Sequence, residues 1–137
     1  MIWKPNVTVA AVIERDGHIL ICQRRRDDSH ALKWEFPGGK VEAGESPKAA
    51  LERELEEELA IQARIGRQLT SLRHRYGDRP PFRLIFFQVR EFSGEPVNLN
   101  FEKIVWEAPE RLPGYDFVEA DRGFVRDLAR RTPNHRT

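Results

Sequence analysis

The sequence predicts an α+β fold, a mixed sheet with helices packed on it, and three observations carry that prediction. Two apolar runs rich in β-branched residues flank Asp16-Gly17. Leu51, Leu55 and Leu59 recur every four residues behind a Ser-Pro pair. Further strand-like runs then lead into a second amphipathic stretch near the C-terminal end. Strands, helix, strands, helix is the order in which helices cover a sheet.

Taken in order, "VTVAAVIERDGHILICQR" (7–24) reads as a hairpin, because Asp-Gly between such runs accommodates the positive φ of a tight turn. "RRRDDSHALK" (24–33) is polar and reads as a loop, and "WEFPGGKVEAGE" (34–45) as a second loop with aromatic anchors. Ser46 and Pro47 open a helix as N-cap and first helical residue, and the leucine repeat carries it to about residue 59. A strand or two is expected around Gly66 within 62–76. The strongest strand follows at 82–92, then a turn at "SGEP" (93–96) and a short strand at 103–108. The stretch 119–131 reads as a terminal helix with Phe124, Val125, Leu128 and Ala129 on its inner face. Residues 132–137 are expected to fray, and Trp3 is read as a packing anchor.

At 137 residues the chain is expected to be one domain, 1–137, structured over about 6–130. Apolar residues make up 39% and charged residues 33%, which suits a soluble globular protein and not a disordered one. The net charge of +1 leaves no global field toward nucleic acid or a membrane surface. The single cysteine, Cys22, permits no internal disulfide and reads as a small core residue. The apolar run 7–13 is too short to span a bilayer and lacks a cleavage pattern, so a cytoplasmic location is expected. "RRR" at 24–26 is followed at once by Asp27 and Asp28, with no basic stripe carrying interleaved aromatics. Polynucleotide binding is therefore not expected from it.

The helix at 47–59 poses a question. Five glutamates fall between Glu52 and Glu58, and like charges four residues apart repel by roughly 0.2–0.5 kcal/mol per pair. At 100° per residue, Leu51, Leu55 and Leu59 span an arc of about 80°. Glu54, Glu57 and Glu58 share the neighbouring arc, and Glu52 and Glu56 lie further toward solvent. Three carboxylates gathered beside a buried face call for a counter-charge, and a divalent cation with oxygen ligands supplies it. Magnesium binds few carboxylates and adds substrate phosphates, so the helix reads as part of a metal–phosphate site. Gly38 and Gly39 can bring a backbone carbonyl to the metal, and Arg53 can orient a carboxylate by bidentate pairing. Alone, the glutamate run would favour a plain solvated amphipathic helix.

The spacing decides between the two. Gly39-x5-Glu45-x7-Arg53-Glu54-Leu55-x-Glu57-Glu58 resembles, residue by residue, the signature of the Nudix hydrolase family. The resemblance extends over about residues 6–130 and is nearest to MutT-type nucleoside triphosphate pyrophosphohydrolases. It implies an α/β/α sandwich with a mixed sheet between helices. It also implies hydrolysis of a nucleoside triphosphate, including an oxidised 8-oxo-dGTP-like one, to the monophosphate and pyrophosphate with Mg2+, Mn2+ being able to substitute.

Carried over by the resemblance, the Gly39 carbonyl with Glu54, Glu57 and Glu58 would form the metal set. A glutamate would handle the attacking water, Arg53 would orient Glu54, and Glu45 would support the loop. Lys40 would touch phosphate, and Arg24, Phe36 and Asp121 would surround the base. An extra carboxylate before the Trp106 strand falls on Glu102 or, in register, on Asn100. Ala60 stands where the family has glycine, which places the departure at the helix exit. The implied partner is a small nucleotide, with no nucleic acid and no membrane, the protein being monomer or homodimer. Alternatives are another nucleoside diphosphate-X such as ADP-ribose or a dinucleoside polyphosphate, or a module that senses a nucleotide without cleaving it.

Overall fold

In the computed structural model, which describes residues 6–131, Asp16 (φ 53°) and Gly17 (φ 76°) both take positive φ. A two-residue hairpin turn of the primed type needs that pair of values. The turn joins β1 (Asn6–Arg15) to β2 (His18–Gln23) with Arg15 opposite His18, as the sequence implies.

The chain divides into two compact units, and β1 runs through both. The first holds the residues up to Val12 and Pro37–Leu99. Here β4 (Gly38–Lys40) pairs antiparallel with β1, Val9 opposite Gly39. The loop expected over 34–45 is therefore wrong in part. Strand residues there are chosen for closeness, not for β-branching: a Cβ on Gly38 would fall 1.9 Å from the Val9 carbonyl oxygen. Glycine weakens the usual strand signal and so hid the strand.

Helix α1 (Pro47–Leu59) follows. Ser46 caps it in extended backbone, its hydroxyl accepting from the Ala49 N–H at 3.1 Å, and Pro47 takes the first position. Ala50, Leu51, Leu55 and Leu59 are fully buried. The helix ends at Ala60 in left-handed backbone (φ 58°, ψ 32°), its N–H donating to the Glu56 carbonyl at 3.0 Å. Alanine therefore holds the conformation natural to glycine, at a cost of about 1 kcal/mol.

Two short strands, β5 (Gln62–Arg64) and β8 (Glu91–Ser93), pair with each other. Strands β6 (Gln68–His74) and β7 (Phe82–Val89) form a hairpin. The expected strand 82–92 is thus two strands, because Arg90 leaves one ladder before Glu91 joins the other.

The second unit holds Ile13–Phe36 and the residues from Asn100. In it β2 pairs antiparallel with β3 (Trp34–Glu35) and with β9 (Lys103–Glu107). A parallel bridge joins Trp34 to Phe117, so the pairing is mixed. A 3-10 helix (Pro109–Gly114) precedes α2 (Glu119–Arg131), whose Phe124 and Val125 are buried while Leu128 and Ala129 are half-buried. Cys22 is buried in β2, a core residue as expected. Strands and helices together make the α+β fold. Among the described residues no helix is long and apolar enough to cross a membrane. The tail at 132–137 and Trp3 lie outside the described residues.

Candidate active site

In the first unit the Gly-rich strand β4 and helix α1 come into contact through Gly39 and Glu54. A Cβ on Gly39 would fall 2.3 Å from Glu54 Oε2, so the carboxylate rests directly on the glycine backbone. No other residue leaves that space. One turn along α1, Glu58 Oε1 accepts from the Gly38 N–H at 3.2 Å. The two glycines of the loop each receive one glutamate of the helix.

Arg53 organises the rest. Its Nε and Nη2 donate to the two oxygens of Glu45 at 2.6 and 3.0 Å, a bidentate fork. Its Nη1 donates to Glu54 Oε2 at 3.3 Å and to Glu57 Oε1 at 3.2 Å, and its Nη2 also reaches the Lys40 carbonyl at 3.2 Å. The hydrogen bond to Glu45 raises the Arg53 pKa above its ordinary value. The same bond, with a backbone N–H from Glu42, holds Glu45 below the usual carboxylate range. Burial pushes Glu54 up; Arg53 opposes this, while the negative charges of Glu57 and Glu42 add to it.

Glu54 is 16% exposed at its side chain and Glu57 58%. Glu57 therefore stands in solvent with Glu52 and Glu56, further from the buried face than helical geometry alone suggested. Among the described residues no three His, Cys, Asp or Glu side chains form a ready-made metal cage. The donors gathered here are nonetheless all hard oxygens, the type that suits Mg2+ or Ca2+ and not a soft metal. The Lys40 side chain is exposed.

The second unit brings together the residues expected around the base, and adds one. Arg24 Nη1 forks onto Glu35 at 3.1 and 3.3 Å, while its Nε donates to the Ser29 carbonyl at 2.6 Å. Asp121, 4% exposed, accepts from the Phe36 N–H at 3.4 Å. Burial and the nearby Glu35 charge push the Asp121 pKa up to about 8, against a smaller lowering by the Phe36 N–H. Burial likewise raises Glu35, despite Arg24. The Phe36 ring packs on Phe117 and Phe124, with centroids 5.4 and 5.9 Å apart, and is 3% exposed. Its ring belongs to the core, and its backbone N–H is the group turned toward Asp121.

Sequence reasoning missed Glu35. The only signal was its place opposite Cys22 in a strand that was not expected. Glu102 accepts from Arg26 Nη2 at 3.2 Å, and its backbone N–H donates to the Gln23 carbonyl.

The NUDIX domain family model matches residues 3–128. The chain belongs to the Nudix family. It is 42% identical to the CTP pyrophosphohydrolase of Escherichia coli K12 over 82% of this chain and 83% of that one. It is 36% identical to the 8-oxo-dGTP diphosphatase of Haemophilus influenzae over 96% and 97% of the two chains. The solution structure of the E. coli ORF135 protein matches with a TM-score of 0.83 and 37% identity over 98% of this chain and 96% of that one. As a Nudix hydrolase the protein is a pyrophosphohydrolase, and divalent metal is the general cofactor of its family.

Proposed function

We propose that this Nudix protein, working as a single domain, hydrolyses a nucleoside triphosphate to the monophosphate and pyrophosphate with Mg2+. The observation that carries the reading is Glu54 resting on Gly39 while Arg53 ties Glu45, Glu54 and Glu57 into one network. Such an arrangement fixes acidic oxygens beside a backbone that a polyphosphate can approach.

The Gly39 carbonyl with Glu54, Glu57 and Glu58 would hold the metal. Glu102, whose carboxylate accepts from Arg26, is kept as the candidate for the extra carboxylate. Bound there, a divalent ion neutralises phosphate charge and lowers the pKa of a water. The chain's own groups do the rest. A carboxylate of the glutamate cluster takes the proton of the attacking water, whose oxygen forms a bond to phosphorus as the anhydride P–O bond breaks and pyrophosphate leaves. Arg53 positions Glu54 and Glu57, Glu45 positions Arg53, and Lys40 meets a phosphate oxygen. Arg24, the Phe36 N–H and Asp121 frame the base. At neutral pH Asp121, with its pKa about 8, carries a proton and offers both an O–H donor and a carbonyl acceptor.

The relatives' printed substrates, CTP and 8-oxo-dGTP, set the first two nucleotides to test. A panel of triphosphates, ADP-ribose and a dinucleoside polyphosphate assayed with Mg2+ for pyrophosphate against orthophosphate decides. Pyrophosphate release from a triphosphate is the expected result. Release only from ADP-ribose or the dinucleotide would discard the substrate, and no release from any would favour a sensing module.

A further inference from the structure

The segment 63–90 holds seven arginines against one aspartate, with no lysine or glutamate, in a chain whose total charge is only +1. The positive charge is concentrated further by the β6–β7 hairpin. Arg73 and Arg83 are registered partners across it, directly opposite one another. Arg75 follows just beyond the end of β6 at His74. All three are exposed. Like charges facing each other across a ladder oppose pairing. Among the described residues no carboxylate pairs with Arg73, Arg75 or Arg83. Arg83 reaches only the Ser71 hydroxyl at 3.4 Å, and Arg75 only the Gly77 carbonyl at 3.0 Å.

The other face of the same hairpin explains why the arginines are held in place. His74 stands opposite Phe82, and the Tyr76 ring lies 4.5 Å from His74 and stacks on Phe82 at 6.0 Å. That cluster stiffens the hairpin's end. The Arg73 and Arg83 guanidinium groups are therefore displayed as a fixed cross-strand pair, with Arg75 in the chain just beyond it.

We propose that this face binds the phosphate backbone of a polynucleotide strand, without reading its sequence. Arginine forks match phosphate oxygens bidentately, and several neighbouring forks with no carboxylate partner suit an anion that repeats along a chain. No Asn or Gln falls within two residues of them in the sequence to read base edges. The inference is independent of the catalytic reading, since none of the three arginines was placed in the hydrolytic site. It differs from the expectation of no nucleic acid drawn from the net charge and the Arg24–Arg26 run.

The test is fluorescence anisotropy with a labelled 5′-hydroxyl oligouridylate of about 20 nucleotides, long enough to cover such a site. A 5′-hydroxyl end removes any contribution from triphosphate capture. Binding is expected at ~20 mM salt, weakening linearly in log salt, with a slope lower by about 2 in the Arg73→Ser/Arg75→Ser/Arg83→Ser variant. Nucleotide turnover should be unchanged, and the thermal midpoint equal or higher once the Arg73–Arg83 repulsion is gone. The single variants R73S and R83S, each expected to lower the slope by about 0.7, decide the matter if the triple variant fails to fold. No binding at low salt, a variant slope equal to the original, or displacement of the oligonucleotide by polyglutamate at equal charge would each overturn the proposal.

Discussion

Gly39 and Glu54 share one volume: the carboxylate occupies the space a side chain at position 39 would need, with Oε2 only 2.3 Å from the ideal Cβ. Gly39→Ala should therefore displace Glu54 from its place at the base of the loop. A stability loss of about 1–3 kcal/mol is expected from the overpacking. Turnover should fall on the order of 100-fold, since small misplacements of reacting groups cost that much. Denaturant unfolding and steady-state kinetics on the same sample separate the two effects.

Glu57→Gln and Glu58→Gln test the glutamates directly. Each should reduce turnover by roughly 10²–10⁴-fold if the group handles a proton or its cation. Stability should hold or rise slightly, because one repelling charge is gone. Turnover left unchanged in either variant would refute that residue's place in the site.

Arg53 acts through its neighbours, and replacing it by lysine keeps the charge while losing the fork onto Glu45. Arg53→Lys is expected to lower kcat by about 10–100-fold, the range for groups that orient a catalytic shell. KM should change little. A rise in KM with kcat intact would instead mean that Arg53 contacts substrate.

Asp121 makes stability depend on pH in a stated direction. Its pKa is raised from 3.8 to about 8 on folding. The native state then binds a proton that the unfolded state has released throughout that interval. Stability falls as pH rises from about 4 to about 8 and levels off beyond. Asp121→Asn, which cannot ionise, should flatten that slope in denaturant titrations. An unchanged slope in the variant would show that Asp121 is not the group responsible. The same variant should remove any rise in nucleotide KM between pH 7 and pH 9.

Ala60→Gly should stabilise the protein by about 1 kcal/mol, by relieving the left-handed strain at the helix exit. Differential scanning calorimetry should show the midpoint rising by about 3–5 °C.

Helix α1 was legible to the residue, because Ser46, Pro47 and the leucine repeat are local signals that its packing does not override. The Asp16-Gly17 hairpin and the bounds of α2 were legible for the same reason. Strands β3 and β4 were not. Their residues are set by close backbone approach to β1 and β2, a long-range constraint that composition cannot display. The break at Arg90 was hidden likewise, since one unbroken strand-like run supplies residues to both ladders. In the candidate site, motif spacing singled out Gly39, Arg53 and the glutamates, which the fold brings together, while burial corrected the position of Glu57. Glu35 depended on a strand pairing and remained invisible until that pairing was known.

The left-handed alanine at residue 60 bears on how this protein can change. A fold that functions with one unrelieved kilocalorie tolerates fewer destabilising substitutions than its relaxed counterpart. In the Ala60→Gly background a larger share of random variants should stay folded. New nucleotide preferences are therefore best sought there, where a substitution at Arg24 or Asp121, the residues proposed to frame the base, need not also unfold the chain.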